Sequence, residues 1–438
     1  MTVKNIGSLA LTLLAGLALA PGLGAEITPG MTIDQTTAGQ ARDLLPPEIY
    51  EHYAKGEYTN KVVNYPNERY RWDDGYAAAT EWNRQHIVLS PEKQPVDKDT
   101  GKRPDYITGT PFPDIRPDDP DAGYKVLWNN VFLVYNGGNS RNVTNLFWLG
   151  RTGVERSAGQ DVSFLYYDGQ PKHYIPPSNP DNLIFQFITT TLSPADLQGT
   201  AALSWRYKDP GKRDANWAYV PAMRRVRAVS PTNRSDGFLG SDMSQDDGNF
   251  FDGKVEDFEW KLVGRREGLR LTDPDSIAGK AKRVALPGGG WRTPFVNNDR
   301  SAGFQVKDWK GVAWAPVAAG LSKRSMWVLE GVPKDRYYLY GKIELWIDDY
   351  TYAGAWNRRF SWKGDLMNTY QITLPATEPF NATESFWAST FAYQCAENIK
   401  ADRATLGGPQ PTPDSPQDRR LPLKPSMFDY QSLSRTGK

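Results

Sequence analysis

Apolar and polar residues alternate most clearly between Val255 and Arg265. Every second residue there is apolar, namely Phe258, Trp260 and Leu262. The residues between them are charged, namely Asp257, Glu259 and Lys261. A second stretch repeats the pattern, with Ile343, Leu345 and Ile347 directed inward and Lys342, Glu344 and Asp348 outward. A period of two residues is typical of a strand with one buried face. Both stretches are therefore predicted to be strands of an antiparallel sheet.

Similar runs recur along the chain, with turn residues such as Pro210-Gly211 between them. We predict strands over Thr144–Arg151, Val162–Tyr167, Asn182–Thr191, Gly199–Tyr207, Asn216–Val229, Val255–Arg265, Arg324–Gly331, Tyr337–Asp348, Ala355–Trp362, Leu366–Thr373 and Glu384–Tyr393. About ten strands at this spacing favour a large curved antiparallel sheet, or an unclosed β-barrel, in a mainly β fold of the α+β kind. Such a sheet has to cover its apolar face with helices, with itself or with a ligand.

One stretch before these strands has a helical period instead. Its aromatic residues recur three or four positions apart, at Tyr124, Trp128, Phe132 and Tyr135. The aspartates that precede them suit the first turn of a helix. We predict a core-facing helix over Asp118–Tyr135, since an aromatic stripe of this kind usually serves packing.

The first 25 residues have the features of a secretory signal peptide. Lys4 precedes an apolar core, Leu9 to Ala20, that is too short to span a bilayer, and cleavage is expected after Ala25. No Cys lies near that site to carry a lipid anchor. We therefore expect the mature chain to be exported and soluble.

Composition divides the rest of the chain into three parts. Residues 26–120 are predicted to form an N-terminal helical and irregular segment, and residues 121–400 a β domain. An insertion rich in Gly and Trp interrupts that domain at about residues 269–323. Residues 401–438 are rich in Pro, Asp and Arg and are predicted to form an extended tail.

Composition and charge narrow the class of protein. The chain is 39% hydrophobic with 15 Trp, 22 Tyr and 17 Phe, which indicates a globular protein with many aromatic side chains. Its formal net charge of +1 gives no basic field for a polyanion, so we expect no nucleic-acid partner. Cys395 is the single cysteine and cannot form an internal disulfide. An exported protein without disulfides fits the periplasm of a Gram-negative bacterium.

The sequence offers few groups for catalysis. His52, His86 and His173 are far apart, and neither zinc-ligand spacing nor a nucleophile elbow, phosphate loop or dinucleotide fingerprint occurs. We predict no enzymatic activity, no catalytic residues, no metal site and no cofactor. The acidic stretch Asp236–Asp257 does not fit the EF-hand spacing. We interpret it as a solvated loop, with an irregular calcium site as the open alternative.

Several motifs resemble those of a bacterial family of unknown function, DUF1329. They are the aromatic and basic runs Val126-Leu-Trp-Asn129, Trp217-Ala-Tyr-Val-Pro-Ala-Met-Arg-Arg-Val-Arg-Ala228, Ser235-Asp-Gly237, Trp260-Lys-Leu-Val-Gly-Arg-Arg-Glu267 and Arg336-Tyr-Tyr-Leu-Tyr-Gly-Lys-Ile-Glu-Leu-Trp-Ile-Asp348. The resemblance covers roughly residues 30 to 435 and is specific as a set. That family is similar to the LolA/LolB-like proteins that sort outer-membrane lipoproteins.

The resemblance implies an unclosed antiparallel β-barrel with helices over its mouth and an apolar cavity for acyl chains. The resemblance also implies that the protein functions together with an RND-type exporter and an outer-membrane β-barrel protein. We therefore predict a periplasmic carrier or chaperone that binds a lipid or other hydrophobic molecule for transport. A glycan-binding protein and a scaffold without a cavity ligand are the alternatives, because exposed aromatic rings also stack on sugars.

The apolar positions of the predicted strands supply the candidate binding residues. We predict that the concave face of the sheet binds the ligand through eleven side chains, Trp205, Tyr207, Trp217, Tyr219, Trp260, Leu262, Trp327, Leu329, Ile343, Leu345 and Ile347. Burial of apolar surface, at roughly 25 cal/mol per Å², would hold an acyl chain without directed chemistry. The opposing interpretation is that these residues form a closed core.

Overall fold

The computed structural model describes residues 26–65, 72–272, 282–293, 302–374, 376–379, 381, 383, 386–389, 393–409 and 417–436. The predicted signal peptide lies outside these residues. Within them the α-helices are α1 (Pro47–Ala54), α2 (Asp74–His86), α3 (Ala122–Asn136) and α4 (Leu433–Thr436). No helix of this part of the chain combines the length and the apolarity that crossing a membrane requires.

Strands make up most of the described chain. They are β1 (Thr32–Ile33), β2 (Asn60–Lys61), β3 (Ile87–Leu89), β4 (Pro95–Asp97), β5 (Ser140–Gly150), β6 (Gly153–Tyr166), β7 (Leu183–Ser193), β8 (Ala201–Tyr207), β9 (Ala215–Val220), β10 (Arg225–Val229), β11 (Phe258–Thr272), β12 (Val284–Ala285), β13 (Trp291–Arg292), β14 (Gly320–Pro333), β15 (Lys342–Asp348), β16 (Gly354–Phe360), β17 (Leu366–Thr373), β18 (Ala376–Thr377), β19 (Ala388–Ser389), β20 (Tyr393–Asn398), β21 (Arg403–Pro409) and β22 (Gln417–Arg419).

One antiparallel sheet contains 16 of these strands. Its main order is β10-β9-β8-β7-β6-β5-β21-β20-β17-β16-β15-β14-β11, and β12, β13 and β22 continue from β5. Two meanders build it, β5 to β10 on one side and β11, β14, β15, β16, β17 and β20 on the other. Strand β21 joins them by pairing with β20 and with β5.

Helix α3 shows that the sheet is curved. Near its start, Tyr124 donates a hydrogen bond of 3.0 Å to the carbonyl of Phe258 in β11. Near its end, the Tyr135 ring lies 5.0 Å from Tyr166 in β6 and 6.1 Å from Phe185 in β7. Fifteen helical residues span about 22 Å, whereas the nine strand steps from β7 to β11 would span about 43 Å in a flat sheet. The sheet therefore curves around α3.

Its two edges stay apart. Strands β10 and β11 end the sheet and do not pair with each other in the described residues. The prediction of a large curved antiparallel sheet, or unclosed barrel, with covering helices is confirmed.

Apolar residues are buried on both faces of the sheet. The inner face, which α3 covers, includes Trp327, Leu329, Ile343, Leu345, Ile347 and Tyr370. The outer face includes Met326, Val328, Trp346, Trp356 and Cys395, and residues 27–62 and 302–319 cover it there. Residues 425–436, here called the C-terminal segment, cover its other end over β6 to β9. Alternate side chains of one strand therefore enter different cores.

Helix α3 is shorter at its start than the sequence predicts. It begins at Ala122, where the backbone N–H donates to the Asp119 carbonyl at 3.0 Å in a turn that precedes the helix. Twelve of its residues are buried, so it packs on nearly all sides, as a core-facing helix should.

Several predicted strands have other bounds in the structure, such as Tyr337–Asp348, which begins only at Lys342, and two differ further. The single strand predicted over Asn216–Val229 is wrong, because Pro221 starts a turn and Arg224 takes a left-handed conformation with φ 50°, which returns the chain as β10. The strand predicted over Glu384–Tyr393 falls partly outside the described residues, and the chain next enters the main sheet at Tyr393.

Two further residue groups have unexpected positions. Residues 403–409, which the sequence places in an extended tail, form the strand between the two meanders. Asp348 lies on the outward face of β15, as predicted, yet it is fully buried there and pairs with Arg324 at 2.7 Å. Its face of β15 is enclosed because residues 27–62 cover the outer side of the sheet.

The connection from β10 to β11 runs over the inner face. These two strands are the opposite edges of the sheet, so residues 230–257, here called the crossing loop, have to pass from one edge to the other. Met243, Phe250, Phe251 and Val255 from this loop are buried in the inner core. The loop is thus held over the inner face rather than projecting from an edge.

Candidate functional site

Side chains from distant strands fix the crossing loop to the sheet. Arg359 of β16 donates to the Asp247 carboxylate at 2.9 Å, and Asn357 of the same strand donates to the Phe250 carbonyl at 2.8 Å. Farther along the sheet, Thr405 of β21 accepts from the backbone N–H of Asp242 at 2.9 Å. The loop therefore closes the inner side of the sheet between β16 and β21.

A buried ionic cluster fixes the loop at the β8 end. Arg206 pairs with Asp214 at 2.8 Å, and Arg234 pairs with Asp246 at 2.7 Å and with Asp214 at 3.1 Å. Asp252 lies 3.5 Å from each arginine. Burial raises the pKa of Asp252 to about 6, against the opposing effect of the two arginines.

These pairs correct the interpretation of the acidic stretch. The prediction of a solvated loop is wrong for Asp246 and Asp247, which are buried. Asp246 pairs with Arg234 of the same loop, whereas Asp247 pairs with Arg359 of the distant strand β16. In the described residues no group of three or more His, Cys, Asp or Glu side chains could hold a metal ion.

A cavity lies between the crossing loop and strands β5 to β8. Its volume is about 170 Å³. The apolar side chains at its wall come from the sheet and the loop, as Leu146, Val162, Phe164, Phe185, Phe187, Phe238 and Met243. Polar side chains among them include Asn142, Thr144, Gln160, Thr189 and Arg419. Such a lining can bind an apolar molecule by contact and direct a polar end of it.

Two smaller spaces adjoin this main cavity. One of about 80 Å³ shares Asn142, Phe164, Asn249 and Arg419 with it and extends toward the end of α3. The other, of about 20 Å³, shares Asn249 and lies under α3 and residues 251–256. Asn249 of the crossing loop therefore borders all three spaces, and Arg419 lies where the two larger ones meet.

The structure separates the eleven predicted binding residues into two groups. Trp205, Tyr207, Trp217 and Tyr219 lie on the outer face, where the C-terminal segment covers them. Trp205 donates to the carbonyl of Phe428 at 2.9 Å, and the Trp217 ring stacks on Tyr430 with centroids 5.5 Å apart.

The other seven predicted residues face the α3 side of the sheet. They are Trp260, Leu262, Trp327, Leu329, Ile343, Leu345 and Ile347, which pack in or against the inner core. None of the eleven lies at the wall of the main cavity. Their binding of a ligand stays a prediction.

Sequence reasoning missed the residues that do line the cavity. Phe185 and Phe187 take alternate positions in the strand predicted over Asn182–Thr191. Val162 and Phe164 do so in the preceding strand, predicted over Val162–Tyr167. This alternation was a usable signal for a shared face. The loop residues Phe238 and Met243 carry no such signal, because the chain has no regular period there.

Reactive side chains lie away from this cavity. Cys395 is fully buried on the outer side, where burial raises its thiol pKa well above the usual value. His52 is also buried there, between Glu57 and Glu397. The arrangement at the cavity therefore supports binding by apolar contact, and Arg234 and Arg419 are the cations at its wall.

Comparisons with solved structures find distant similarities. A domain from Vibrio parahaemolyticus, described as an outer membrane lipoprotein-sorting protein, is 15% identical and has a TM-score of 0.46 over 72% of this chain and 100% of its own. A DUF1329 family protein from Desulfovibrio piger is 16% identical, with a TM-score of 0.47 over 72% of this chain and 99% of its own. A LolA superfamily protein from Nitrosomonas europaea is 13% identical, with a TM-score of 0.37 over 68% and 96%. At these values the similarities carry no functional conclusion.

Comparison of the sequence with models of protein families gives a match over most of the chain. No curated protein matches the chain at a significant level. The model of the family described as a protein of unknown function, DUF1329, matches residues 32–433. The match spans nearly the whole chain and confirms the resemblance predicted from its motifs, so the chain belongs to the DUF1329 family.

Proposed function

We propose that this protein is a periplasmic carrier or chaperone that holds a lipid or another hydrophobic molecule in the main cavity. The observation that carries the proposal is the aromatic cavity between strands β5 to β8 and the crossing loop. Four phenylalanines contribute to its wall, and a second space adjoins the cavity.

The energetics agree with an acyl chain as the ligand. Burial contributes about 0.8 kcal/mol for each methylene group, so about ten methylenes would contribute roughly 8 kcal/mol, the binding free energy of a micromolar complex. A dry cavity of about 150 Å³ holds one benzene ring. At about 170 Å³ the main cavity holds part of such a chain, and the adjoining space of about 80 Å³ gives it a path for the rest.

The place of work and the partners are part of the same proposal. The N-terminal sequence and the family resemblance support export to the periplasm of a Gram-negative bacterium. The resemblance also supports an RND-type exporter and an outer-membrane β-barrel protein as partners. Crosslinking in cells and identification of the captured proteins tests this part. If neither class of protein is captured, the proposed partners are contradicted. The proposal of a ligand in the cavity is not affected by that result.

Native mass spectrometry of the protein purified from its periplasm, followed by organic extraction, tests the carrier function. We expect a co-purifying lipid or other hydrophobic molecule. A mass that equals the bare chain and does not change after incubation with lipids would contradict the proposal. A scaffold without a cavity ligand would then be favoured, or a glycan-binding protein if the chain is retained on a glycan array.

A substitution that fills the main cavity with a larger side chain should prevent ligand binding. We expect Val162→Trp to reduce lipid binding at least tenfold, because Val162 lies at the cavity wall and the larger ring would occupy the space. Val154→Trp is the matched control, since Val154 lies on the same strand and is 46% exposed. Titration with a fluorescent fatty acid measures both variants. Equal losses in both would show that the cavity is not the binding site.

A further inference from the structure

Arg419 occupies a distinctive position in the cavity system. It ends the short strand β22, which pairs with β5, and its side chain lines both larger spaces at their junction. Its guanidinium donates to the side-chain oxygen of Asn142 at 3.0 Å. Among the described residues its side chain makes no other hydrogen bond, and no carboxylate of these residues lies within 4 Å of it.

The other arginine at the cavity wall has a different environment. Arg234 is surrounded by Asp214, Asp246 and Asp252, at 2.7 to 3.5 Å. The acid next to Arg419 in sequence, Asp418, is turned away and pairs with Arg292 at 2.7 Å. The charge of Arg234 is therefore compensated within the fold, whereas the charge of Arg419 faces the cavity with a neutral amide as its partner.

We propose that Arg419 binds the carboxylate headgroup of an acyl ligand whose apolar chain lies in the main cavity. This inference rests on the proposed carrier function and names the class of its ligand, a long-chain carboxylic acid. The guanidinium offers parallel N–H donors that match the two oxygens of a carboxylate. Phe164 and Leu146, at the same wall, would contact the first methylenes.

The desolvation of Arg419 in the ligand-free protein supports this assignment. Arg419 is half-buried, and the resulting desolvation lowers its pKa against the opposing effects of Tyr166 and Asp418. A bound carboxylate would replace that solvation with charge-assisted hydrogen bonds. A neutral lipid would leave the cation without compensation. The site should therefore discriminate between an acid and its ester.

Affinities for a fluorescent fatty acid, cis-parinaric acid, and for its methyl ester test the inference on the delipidated mature protein. We expect the acid to bind at least tenfold more tightly than the ester at neutral pH. Arg419→Gln should weaken binding of the acid tenfold to hundredfold and leave binding of the ester within twofold, because the charge-assisted hydrogen bonds are lost and the apolar contacts remain.

Two further variants separate the headgroup contact from other effects. Arg141→Gln removes the same charge from the opposite face of β5, where Arg141 pairs with Asp161 and is 47% exposed, and should change neither affinity. Arg419→Lys should restore part of the preference for the acid, because it keeps the charge without the fork geometry. Circular dichroism and a thermal melt verify that each variant is folded.

Failure of this inference is distinguishable from failure of the carrier function. Equal affinities of the natural chain for acid and ester would overturn the role of Arg419 and keep the carrier function, even if Arg419→Gln does not fold. No binding of either probe would overturn the acyl-carrier proposal itself. Tighter binding of dodecyl phosphate than of dodecanoate would overturn the carboxylate and assign a phosphate headgroup to Arg419.

Discussion

His52 connects the N-terminal part of the chain to the sheet through charge. It lies in α1, and its two ring nitrogens contact Glu57 at 2.7 Å and Glu397 of β20. Its ring also stacks on Tyr58 with centroids 4.4 Å apart. Burial disfavours the charged imidazolium, but hydrogen bonds and the charges of Glu397 and Glu57 outweigh burial and raise the pKa of His52 above its usual value.

The stability of the protein should therefore depend on pH through His52. A pKa raised by folding stabilises the native state fully below the unfolded pKa of about 6.5, and this contribution is lost as the pH rises through the higher folded pKa. We expect His52→Gln to lower the free energy of unfolding by about 3 kcal/mol at pH 6 and by less at pH 9. Urea unfolding at both pH values measures the difference.

A matched substitution gives the control for that experiment. His86→Gln removes a histidine that stacks on Trp82 near the surface, forms no ion pair within 4 Å in the described residues and interacts with the Asp97 carboxylate only at longer range. It should change the free energy of unfolding by less than about 0.5 kcal/mol at either pH. A loss for His52→Gln that does not vary with pH would indicate packing rather than charge.

Alternation of side chains predicted much at the residue scale, but not which core each residue enters. Ile343, Leu345 and Ile347 share a face, as their spacing predicts. Trp205 and Trp217 also share one, yet it is the outer face. A period of two assigns residues to a common side, and both sides of this sheet are covered by segments far away in sequence. Periodicity alone therefore does not identify the concave face.

Among the elements, the C-terminal segment covers a hydrophobic face that would otherwise be exposed. Phe428 and Leu433 are fully buried against β6 to β9, and Gln186 and Trp205 both donate to the Phe428 carbonyl. Tyr430 adds the ring that stacks on Trp217. The aromatic rings on this face thus serve the attachment of the segment.

Trp217→Ala tests that role against the ligand-binding role predicted from the sequence. We expect it to destabilise the segment by about 1–3 kcal/mol through lost ring contacts and to leave fatty-acid affinity within twofold. Limited chymotrypsin digestion should then cut the segment about tenfold faster or more. Trp82→Ala, at a tryptophan 48% exposed, is the control and should not change the digestion. Lost affinity with an unchanged digestion pattern would instead place Trp217 in the binding site.

Sequence reasoning predicted elements best where the pattern was regular. The strand over Leu366–Thr373 has the predicted bounds, and α3 lies within its predicted range but for one residue at its end. The strand over Arg403–Pro409 was missed because Gly407, Gly408 and Pro409 are typical of loops. The crossing loop was interpreted as solvated because the countercharge of Asp247, Arg359, lies in β16, and because the pairing of Arg234 with Asp246 depends on how the loop folds. Local sequence contains neither the pairing of a short strand nor the position of a distant arginine.

At the scale of the whole molecule, strand β21 unites two meanders into one sheet. On one side it pairs with β20 over five residues, and on the other side it pairs with β5 over seven residues. Its residues Ala404 and Leu406 are buried in the outer core. Removal of this strand would leave β5 and β20 with unpaired edges at the centre of the sheet.

Two truncations should therefore differ sharply. A chain that ends at residue 402 should not fold, because it lacks β21 and the outer-core residues that β21 supplies. A chain that ends at residue 424 retains the sheet and the cavity and lacks the C-terminal segment, so we expect it to fold with a lower thermal midpoint and to bind fatty acid. Size-exclusion chromatography and circular dichroism measure both. A folded, monomeric chain ending at residue 402 would contradict the central role of β21.

The position of β21 also sets an order of events during biosynthesis. A chain is made from its N-terminus, so β5 is complete when residue 150 has emerged, yet its partner in β21 follows about 250 residues later. Contacts so far apart in sequence close slowly. Until then the nascent chain carries an open strand edge of the kind that recruits neighbouring chains into aggregates. Joining of the two halves is thus a late event of folding, and the newly made protein needs shielding of this edge for more than half of its synthesis.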